Sequence, residues 1–569
     1  MEIAKLNQIV LKAVSDLARA KGRSVEALVA PSWELSDIEH ADLTTSWCLK
    51  AARVFGMSPL AIAEELVGRL VLSDIASFGE VFSVAPGYIN FRWSDAVLLK
   101  NLPTFHTPAK RKRRTVIVEY SSPNVAKPLG IGHIRSTIIG ESLARIHEFV
   151  GEHVVRLNHP GDWGTQFGKL IVMVKEQWGG KIAAARTIQD FVRLYVEFHD
   201  RAKEDLTLDP RAREETVKLQ HGDPTNTRIW KTICKKSFHE FDLMYRRLGV
   251  RFDETRGEST YENDLPRIVK KARQSGVAVE SDGAIIIPME GLPSPMIIQK
   301  SDGAYLYATT DLAALAYRLK KYRPQAILYI VGSQQTLHFQ QLTIAASLLG
   351  IARADQVTHI PFGMLLGSNH KKLSTREGSS IELDGVLSEA VERVMNMVEA
   401  RSQKDGWSKY DTQRICEIIG VGAVKYNDLS QHRIHDVVLE WDRMLSLTGN
   451  SAPYFQYSVV RINSILAQAT IGSPSKLEKY SLEPLERMLL RELQRFRSVV
   501  EFAAQENEPH RIADILFTLS STFHRLYEQL PVLKAESAAR MFRLRLIEET
   551  AETITTGLRL LGIDVPKRM

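Results

Sequence analysis

Cysteine is scarce in this chain of 569 residues: Cys48, Cys234 and Cys416 are the only three, far apart in sequence. Their spacing gives no CxxC pair for zinc and no disulfide framework, and it fits a reducing cytosol. No apolar run reaches the ~20 residues that a bilayer span requires. The N-terminus is amphipathic and carries acids, so it lacks the form of a secretory signal. Internal repeats and low-complexity tracts are absent as well. Neither sign of charge dominates: 74 Lys and Arg against 67 Asp and Glu leave a net charge of +7. That balance permits a polyanionic partner without requiring one.

What is present is ordinary for a soluble protein: 44% hydrophobic and 25% charged residues. The length exceeds one core and suggests roughly three or four domains. Residues 1–108 read as helices and short strands. Ser58 caps an apolar-striped helix over Met57–Val67, and Phe82–Trp93 alternates around a Pro-Gly turn as strands do. Lys110–Arg114 is a basic run that serves either as a solvated linker or as a phosphate contact or nuclear signal. Residues 109–450 alternate strands and helices, with strands predicted at Val116–Tyr120, Val154–Leu157, Ala326–Val331 and Val357–Phe362. Alternation of this kind makes a parallel sheet with helices on both faces, an α/β Rossmann-like domain. A mostly helical, charged stretch over about 170–300, with a β-like segment at Ala284–Pro288, reads as an insertion. Residues 451–569 read as all-α, with strong apolar periodicity in Leu485–Phe502, Ile512–Leu530 and Ala539–Leu561.

The most informative stretch is Glu119–Ser136, EYSSPNVAKPLGIGHIRS. It follows the apolar run Thr115–Val118 and leads into a helix over Ile134–Val150. Free backbone N–H groups and the dipole at such a helix start suit a phosphate. Gly130 and Gly132 permit close approach, and Lys127 and His133 add donors. Gly-Ile-Gly-His taken alone is equally an ordinary βα turn.

Ser-Pro-Asn, Ala-Lys-Pro and Gly-His-Ile-Arg-Ser-Thr together resemble the HIGH region of arginyl-tRNA synthetases, which are class I aminoacyl-tRNA synthetases. Asn158–Gly168, NHPGDWGTQFG, is similar to that family's next segment. The likeness runs from Ala85–Phe91 to Leu561–Met569. It implies an α+β N-terminal domain that contacts tRNA over 1–108 and a class I catalytic domain over 109–450. It also implies an anticodon-binding bundle from Ser451 onward. The implied activity is that of an arginine–tRNA ligase, with ATP and Mg2+ and without zinc, acting as a cytoplasmic monomer on L-arginine and tRNA(Arg). No membrane and no bound metal are expected. The resemblance further implies that tRNA must bind before adenylate forms.

Arginine presents a planar fork of donors, so a site that selects it needs acceptors matched to that fork. The resemblance assigns Glu119, Tyr307 and Asp311 to the guanidinium, Ser122, Asn124 and Gln335 to the α-amino and carboxylate ends, and His133 to the arginine site as well. Without it, Asp311 in YATTD reads as a helix N-cap and Gln335 as a turn residue. Thr309 or Thr310 would help cap the helix if Asp311 serves the pocket. For ATP the resemblance implies Lys127, Gly130, Gly132 and His133 at ribose and phosphates, and Gly363, Met364 and Leu365 at adenine. Lys371 and Lys372, in KKLSTREG, occupy the place of the KMSKS loop, where mobile charge meets the leaving pyrophosphate; the segment alone reads as a basic surface loop. His133, Lys127, Lys371 and Lys372 are the implied catalytic set.

Two departures stand out. Gly130 replaces the first histidine of His-x-Gly-His, and Ser374 and Thr375 stand where the family and the wider class carry lysine. Both changes remove donors to the transition state. They raise a rival reading, a non-catalytic RNA-binding protein on a synthetase scaffold. The intact set Glu119, Asn124, Tyr307, Asp311 and Gln335 speaks against that rival, because RNA binding alone needs no arginine pocket. Another class I specificity, cysteine above all, would want a zinc site that three scattered cysteines do not provide.

Overall fold

The structure, a computed structural model, describes residues 2–24, 33–35, 41–71, 75, 78–100, 107–108, 114–182, 185, 187–367, 382–469 and 480–569. Lys110–Arg113 and the whole KKLSTREG segment, with Lys371, Lys372, Ser374 and Thr375, lie outside the described residues. The chain forms two compact units. The first comprises Met1–Thr107, Arg461–Ser498 and Thr518–Ile554; the second comprises Pro108–Val460, Val499–Phe517 and Thr555–Met569.

Within the first unit, strands Glu34–Leu35, Leu43–Thr45, Tyr88–Trp93 and Gly79–Val84 form an antiparallel sheet in that order. The Pro-Gly turn between the last two is the one expected from the sequence. Helices Glu2–Ala20, Trp47–Phe55 and Pro59–Val71 accompany them, and Ser58 Oγ caps the third by accepting from Ala61 N at 3.2 Å. Arg487 is tied in by donation to Asp95, Asp42 and the Trp93 carbonyl.

The second unit is built on a five-stranded parallel sheet. Its strands are β1 (Thr115–Glu119), β2 (His153–Asn158), β3 (Glu254–Thr255), β4 (Ala326–Gly332) and β5 (Val357–Phe362), in the order β5-β4-β1-β2-β3. All pairings are parallel, because a crossover between successive strands returns the chain to the same end of the sheet. Three helices frame the centre: α1 (Gly132–Phe149), α2 (Tyr307–Tyr322) and α3 (Thr336–Leu348). Ile117, Leu157, Leu312, Leu315, Ile327 and Tyr329 meet in the core between sheet and helices. Full burial of a leucine or isoleucine stabilises by roughly 1.5–3 kcal/mol. α1 is buried nearly all round and packs closely on β1: a Cβ at Gly140 would collide with the Tyr120 ring.

The four strands read from the sequence are present with ends moved by a residue or less. β3 was not foreseen. It lies inside the stretch expected as an insertion, and its two polar residues carry no apolar signal. Glu254 there accepts from Tyr317 Oη and Lys321 Nζ, both at 2.9 Å, and from Tyr322. The rest of that stretch is helical as expected, with helices such as Thr165–Trp178 and Pro224–Arg247, and with an antiparallel sheet at 279–299 that includes Ala284–Ile287. The helices Ala452–Leu466, Pro484–Glu506, His510–Gln529 and Ser537–Leu560 occupy the C-terminal stretch expected to be all-α.

Candidate functional site

A cleft of about 940 Å3 opens beyond the carboxyl ends of β1 and β4, the place where open parallel sheets receive ligands. Its walls bring together Glu119, Ser122, Asn124, Gly132, His133, Tyr307, Asp311 and Gln335. These residues lie far apart in sequence, and the order of the strands with the helices that follow them makes them neighbours.

The loop after β1 carries the first group. Ser121, Ser122 and Ala126 have φ of 70°, 44° and 69°, a left-handed region costing on the order of 1–3 kcal/mol per non-glycine residue. Hydrogen bonds hold them there. Ser121 N donates to Ser136 Oγ at 2.9 Å, Ser122 N to Asn158 Oδ1 at 3.1 Å, and Ala126 N to Ser237 Oγ at 3.0 Å. Ser136 Oγ–H donates in turn to Ile330 O of β4 at 2.7 Å. Ser136 of the signature therefore anchors the strained loop to the sheet. Asn124, exposed on that loop, bridges Gly161.

Three carboxylates face the cleft: Glu119, Glu258 and Asp311. Glu119 is already paired, with Arg318 Nη1 2.5 Å from its Oε2. Arg318 is fully buried and also donates to Tyr329 Oη at 2.8 Å. Burial raises the Glu119 carboxyl, Arg318 draws it back down, and Asp311 raises it. The net result is a carboxyl raised to about 7, with one oxygen held by a guanidinium that stays protonated.

Asp311 is not a helix N-cap. α2 begins at Tyr307 behind Leu306, which puts Asp311 inside the helix, and Thr309 Oγ1 is spent on Ile298 O at 2.5 Å. No side chain caps this helix. Asp311 Oδ2 lies 2.7 Å from His338 Nε2, and Oδ1 is uncommitted among the described residues. Tyr307 is 63% exposed and meets His338 edge-on at 4.9 Å, so its ring stands at the mouth of the cleft.

Glu258 and His159 were missed in the sequence. Glu258 follows β3 and makes no side-chain hydrogen bond or ion pair among the described residues. Burial pushes its carboxyl up to about 7, helped by Asp311 and Asp162. His159 belongs to the NHPGDWG segment; burial and the nearby Arg318 push it down to about 4, so it is neutral near pH 7. Its Nδ1 lies 2.9 Å from Arg256 O. That assigns the proton to Nδ1 and leaves the buried, unpartnered Nε2 as an acceptor.

His133, the second residue of α1, is half-buried. Burial lowers its pKa, while Gly130 O, 3.3 Å from Nδ1, raises it. Gly130 itself is buried, bridges Glu382 and does not line the cleft. Gly132 is exposed with open space around its Cα. Lys127 is exposed too, but its Nζ sits 4.8 Å above the Tyr195 ring, outside the lining. Phe362 reaches the cleft, whereas Gly363, Met364 and Leu365 do not line it. Met364 N, expected at adenine, donates to Asp436 Oδ1 at 2.6 Å. Arg135, fully buried against Asp428, donates to His435 O and Arg433 O on the neighbouring loop. Among the described residues no cluster of His, Cys, Asp or Glu could hold a metal ion, and no helix is long and apolar enough to cross a membrane.

Three family models match the chain. "tRNA synthetases class I (R), catalytic domain" covers 95–441, "Arginyl tRNA synthetase N terminal domain" covers 4–93, and "DALR anticodon binding domain" covers 455–569. The arginine–tRNA ligase of Synechococcus elongatus is 39% identical over 97% of this chain and 99% of its own length. That of Cellvibrio japonicus is 38% identical over 99% of both. In fold, the crystal structure of the Plasmodium falciparum arginyl-tRNA synthetase matches 100% of this chain and 99% of its own, with a TM-score of 0.84 at 24% identity. The Thermus thermophilus arginyl-tRNA synthetase matches 100% of both chains at a TM-score of 0.83, also at 24% identity.

Proposed function

The chain belongs to the arginyl-tRNA synthetase family of class I synthetases, and on that premise we propose how its cleft turns arginine, ATP and tRNA(Arg) into arginyl-tRNA. The activity is that of an arginine–tRNA ligase. The observation that carries the site reading is a pair of carboxylates facing the cleft, Glu258 with no side-chain partner among the described residues and Asp311 with Oδ1 uncommitted among them. They match the doubly donating edge of a guanidinium, for which a neutral side chain or a lysine ammonium is a poorer fit. Tyr307 closes over the side chain, and His159 Nε2 accepts one further N–H. Ser122, Asn124 and Gln335 take the α-amino and carboxylate ends. Glu119 acts from behind as half of its ion pair with Arg318.

The arginine carboxylate attacks the α-phosphorus of ATP in line, forming arginyl-adenylate as pyrophosphate leaves. The terminal 2′-hydroxyl of tRNA then attacks the acyl carbon, and AMP departs. Positioning and electrostatics supply most of the acceleration. Gly132 lets phosphate approach the N-terminus of α1, whose dipole favours negative charge. His133 is neutral in the empty cleft; incoming phosphate charge favours its protonated, donating form. Lys127, Lys371 and Lys372 supply positive charge for the leaving pyrophosphate. ATP enters as its magnesium complex, the ion carried by the phosphates. Adenine docks by Phe362 and Gly363–Leu365, which requires Met364 N to exchange Asp436 for the base.

Domain roles follow as 1–108 for tRNA contact, 109–450 for catalysis and 451–569 for the anticodon; the extents of the three family matches support this division. We read the protein as a cytoplasmic monomer. A protein that only binds RNA has no use for two carboxylates facing this cleft. The test is attachment of each of the twenty labelled amino acids to total tRNA. Arginine alone should be incorporated; incorporation of another amino acid, or of none, would refute the reading.

A further inference from the structure

We infer that Asp162 is a positioning residue for substrate arginine, and that the Pro160–Asp162 segment acts as a ruler between the two ends of the arginine pocket. The inference rests on the reading of Glu258 as a guanidinium acceptor.

Glu258 opens a short 3-10 stretch, Glu258–Asp264, and its side chain has no partner among the described residues to hold it. Its placement is therefore set by its backbone neighbours, and all of these are held by one segment. Glu258 N donates to Pro160 O at 3.2 Å. On its C-terminal side, Ser259 gives both its N–H and its hydroxyl to the two oxygens of Asp162, each at 2.8 Å. On its N-terminal side, Gly257 lies so close to the Asp162 carboxylate that a Cβ there would collide with it. Asp162 is buried, and Trp230 Nε1 donates to its carbonyl at 2.8 Å.

The other face of the same segment holds Asn124. Val125 N donates to Gly161 O and Gly161 N to Pro123 O, both at 3.1 Å. The Asn124 side-chain oxygen occupies the space that a Cβ on Gly161 would fill. One three-residue segment thus fixes the contact for the α-amino end and the contact for the guanidinium end. The distance between them is the length of side chain the pocket accepts. Buried hydrogen bonds at this point are costly to lose, and Asp162 lines neither end itself.

The test compares Asp162→Ala, Asp162→Asn and Glu258→Gln in charging of total tRNA with arginine and with homoarginine, one methylene longer. For Asp162→Ala the arginine KM should rise about ten- to a hundredfold, the loss expected for buried hydrogen bonds. ATP KM should stay within about twofold, and the preference for arginine over homoarginine should fall by about fivefold or more. Asp162→Asn should recover most of both, because its amide oxygen still accepts Ser259 N–H and its amine turns to the Ser259 hydroxyl. Should Asp162→Ala fail to fold, Ser259→Ala, which removes one of the two bonds, should show the same pattern at smaller size. If Glu258→Gln leaves the arginine KM unchanged, the reading of Glu258 falls and this inference with it. If Glu258→Gln raises the KM while Asp162→Ala or Ser259→Ala leaves KM and preference unchanged, the ruler alone is overturned.

Discussion

Charge in the cleft is apportioned residue by residue. Glu119, in the wall of the cleft, pairs with Arg318, Asp311 meets His338 Nε2 through one oxygen, and Glu258 has no side-chain partner among the described residues. Removing one partner of a buried ion pair strands the other, so Arg318→Met should lower stability by about 3–5 kcal/mol. The double variant Arg318→Met/Glu119→Gln should regain most of it, as urea unfolding would show. Glu258 gives arginine binding a pH dependence. Its carboxyl titrates at about 7 in the empty cleft, and a bound guanidinium favours the ionised form, lowering that value. Affinity is then full above pH 7 and falls as pH drops through 7, because a proton must be displaced. Each pH unit below 7 is worth about 1.4 kcal/mol, so the arginine Kd should rise roughly tenfold between pH 8 and pH 6. Calorimetry in buffers of different ionisation heat should show proton release over the same range; a flat profile would mean that Glu258 does not meet the substrate.

Elements divide into those legible in the sequence and those that are not. β1, β2, β4 and β5 are apolar runs bounded by turns, and burial on both faces dictates such runs. β3 is two polar residues, identified only by its pairing with Leu157 and Asn158. Glu258 follows β3 and inherited its invisibility: no periodicity points to it, and it reaches the cleft only because the chain from 165 to 247 folds into helices and returns. Gly132 and Asn124 could be read because glycine and a motif mark them. The strained φ of Ser121 and Ser122 could not, since serine in a left-handed region is sustained by tertiary hydrogen bonds rather than by its own preference. Asp311 was ambiguous between cap and pocket until the start of α2 was known. At the turn into α1, Gly130 lacks the donor that a histidine would supply, and one such donor is worth about 2.7–4 kcal/mol in other enzymes. The residues expected at the arginine, Glu119, Ser122, Asn124, Tyr307, Asp311 and Gln335, all line the cleft, which favours a site that works with glycine at this turn. Gly130→His should therefore raise turnover of adenylate formation less than tenfold. An inactive parent restored by histidine would contradict this.

On the scale of the whole molecule, the cleft is assembled within one compact unit, yet the reaction needs tRNA, ATP and arginine together. The signature donors are thinned at Gly130, and bound RNA is the expected means of completing the site. ATP–pyrophosphate exchange with arginine should be negligible without tRNA and appear when tRNA(Arg) is added; vigorous exchange with arginine and ATP alone would contradict that dependence. All of this depends on the cleft reading the charge of arginine through Glu258 and Asp311. The most direct measurement is equilibrium binding of arginine and of citrulline, its uncharged near-isostere, to the parent protein and to Glu258→Gln. The parent should prefer arginine strongly, and the variant should lose roughly 2–5 kcal/mol of arginine binding while citrulline binding barely changes. Equal losses for both ligands, or no loss of arginine binding, would contradict the account.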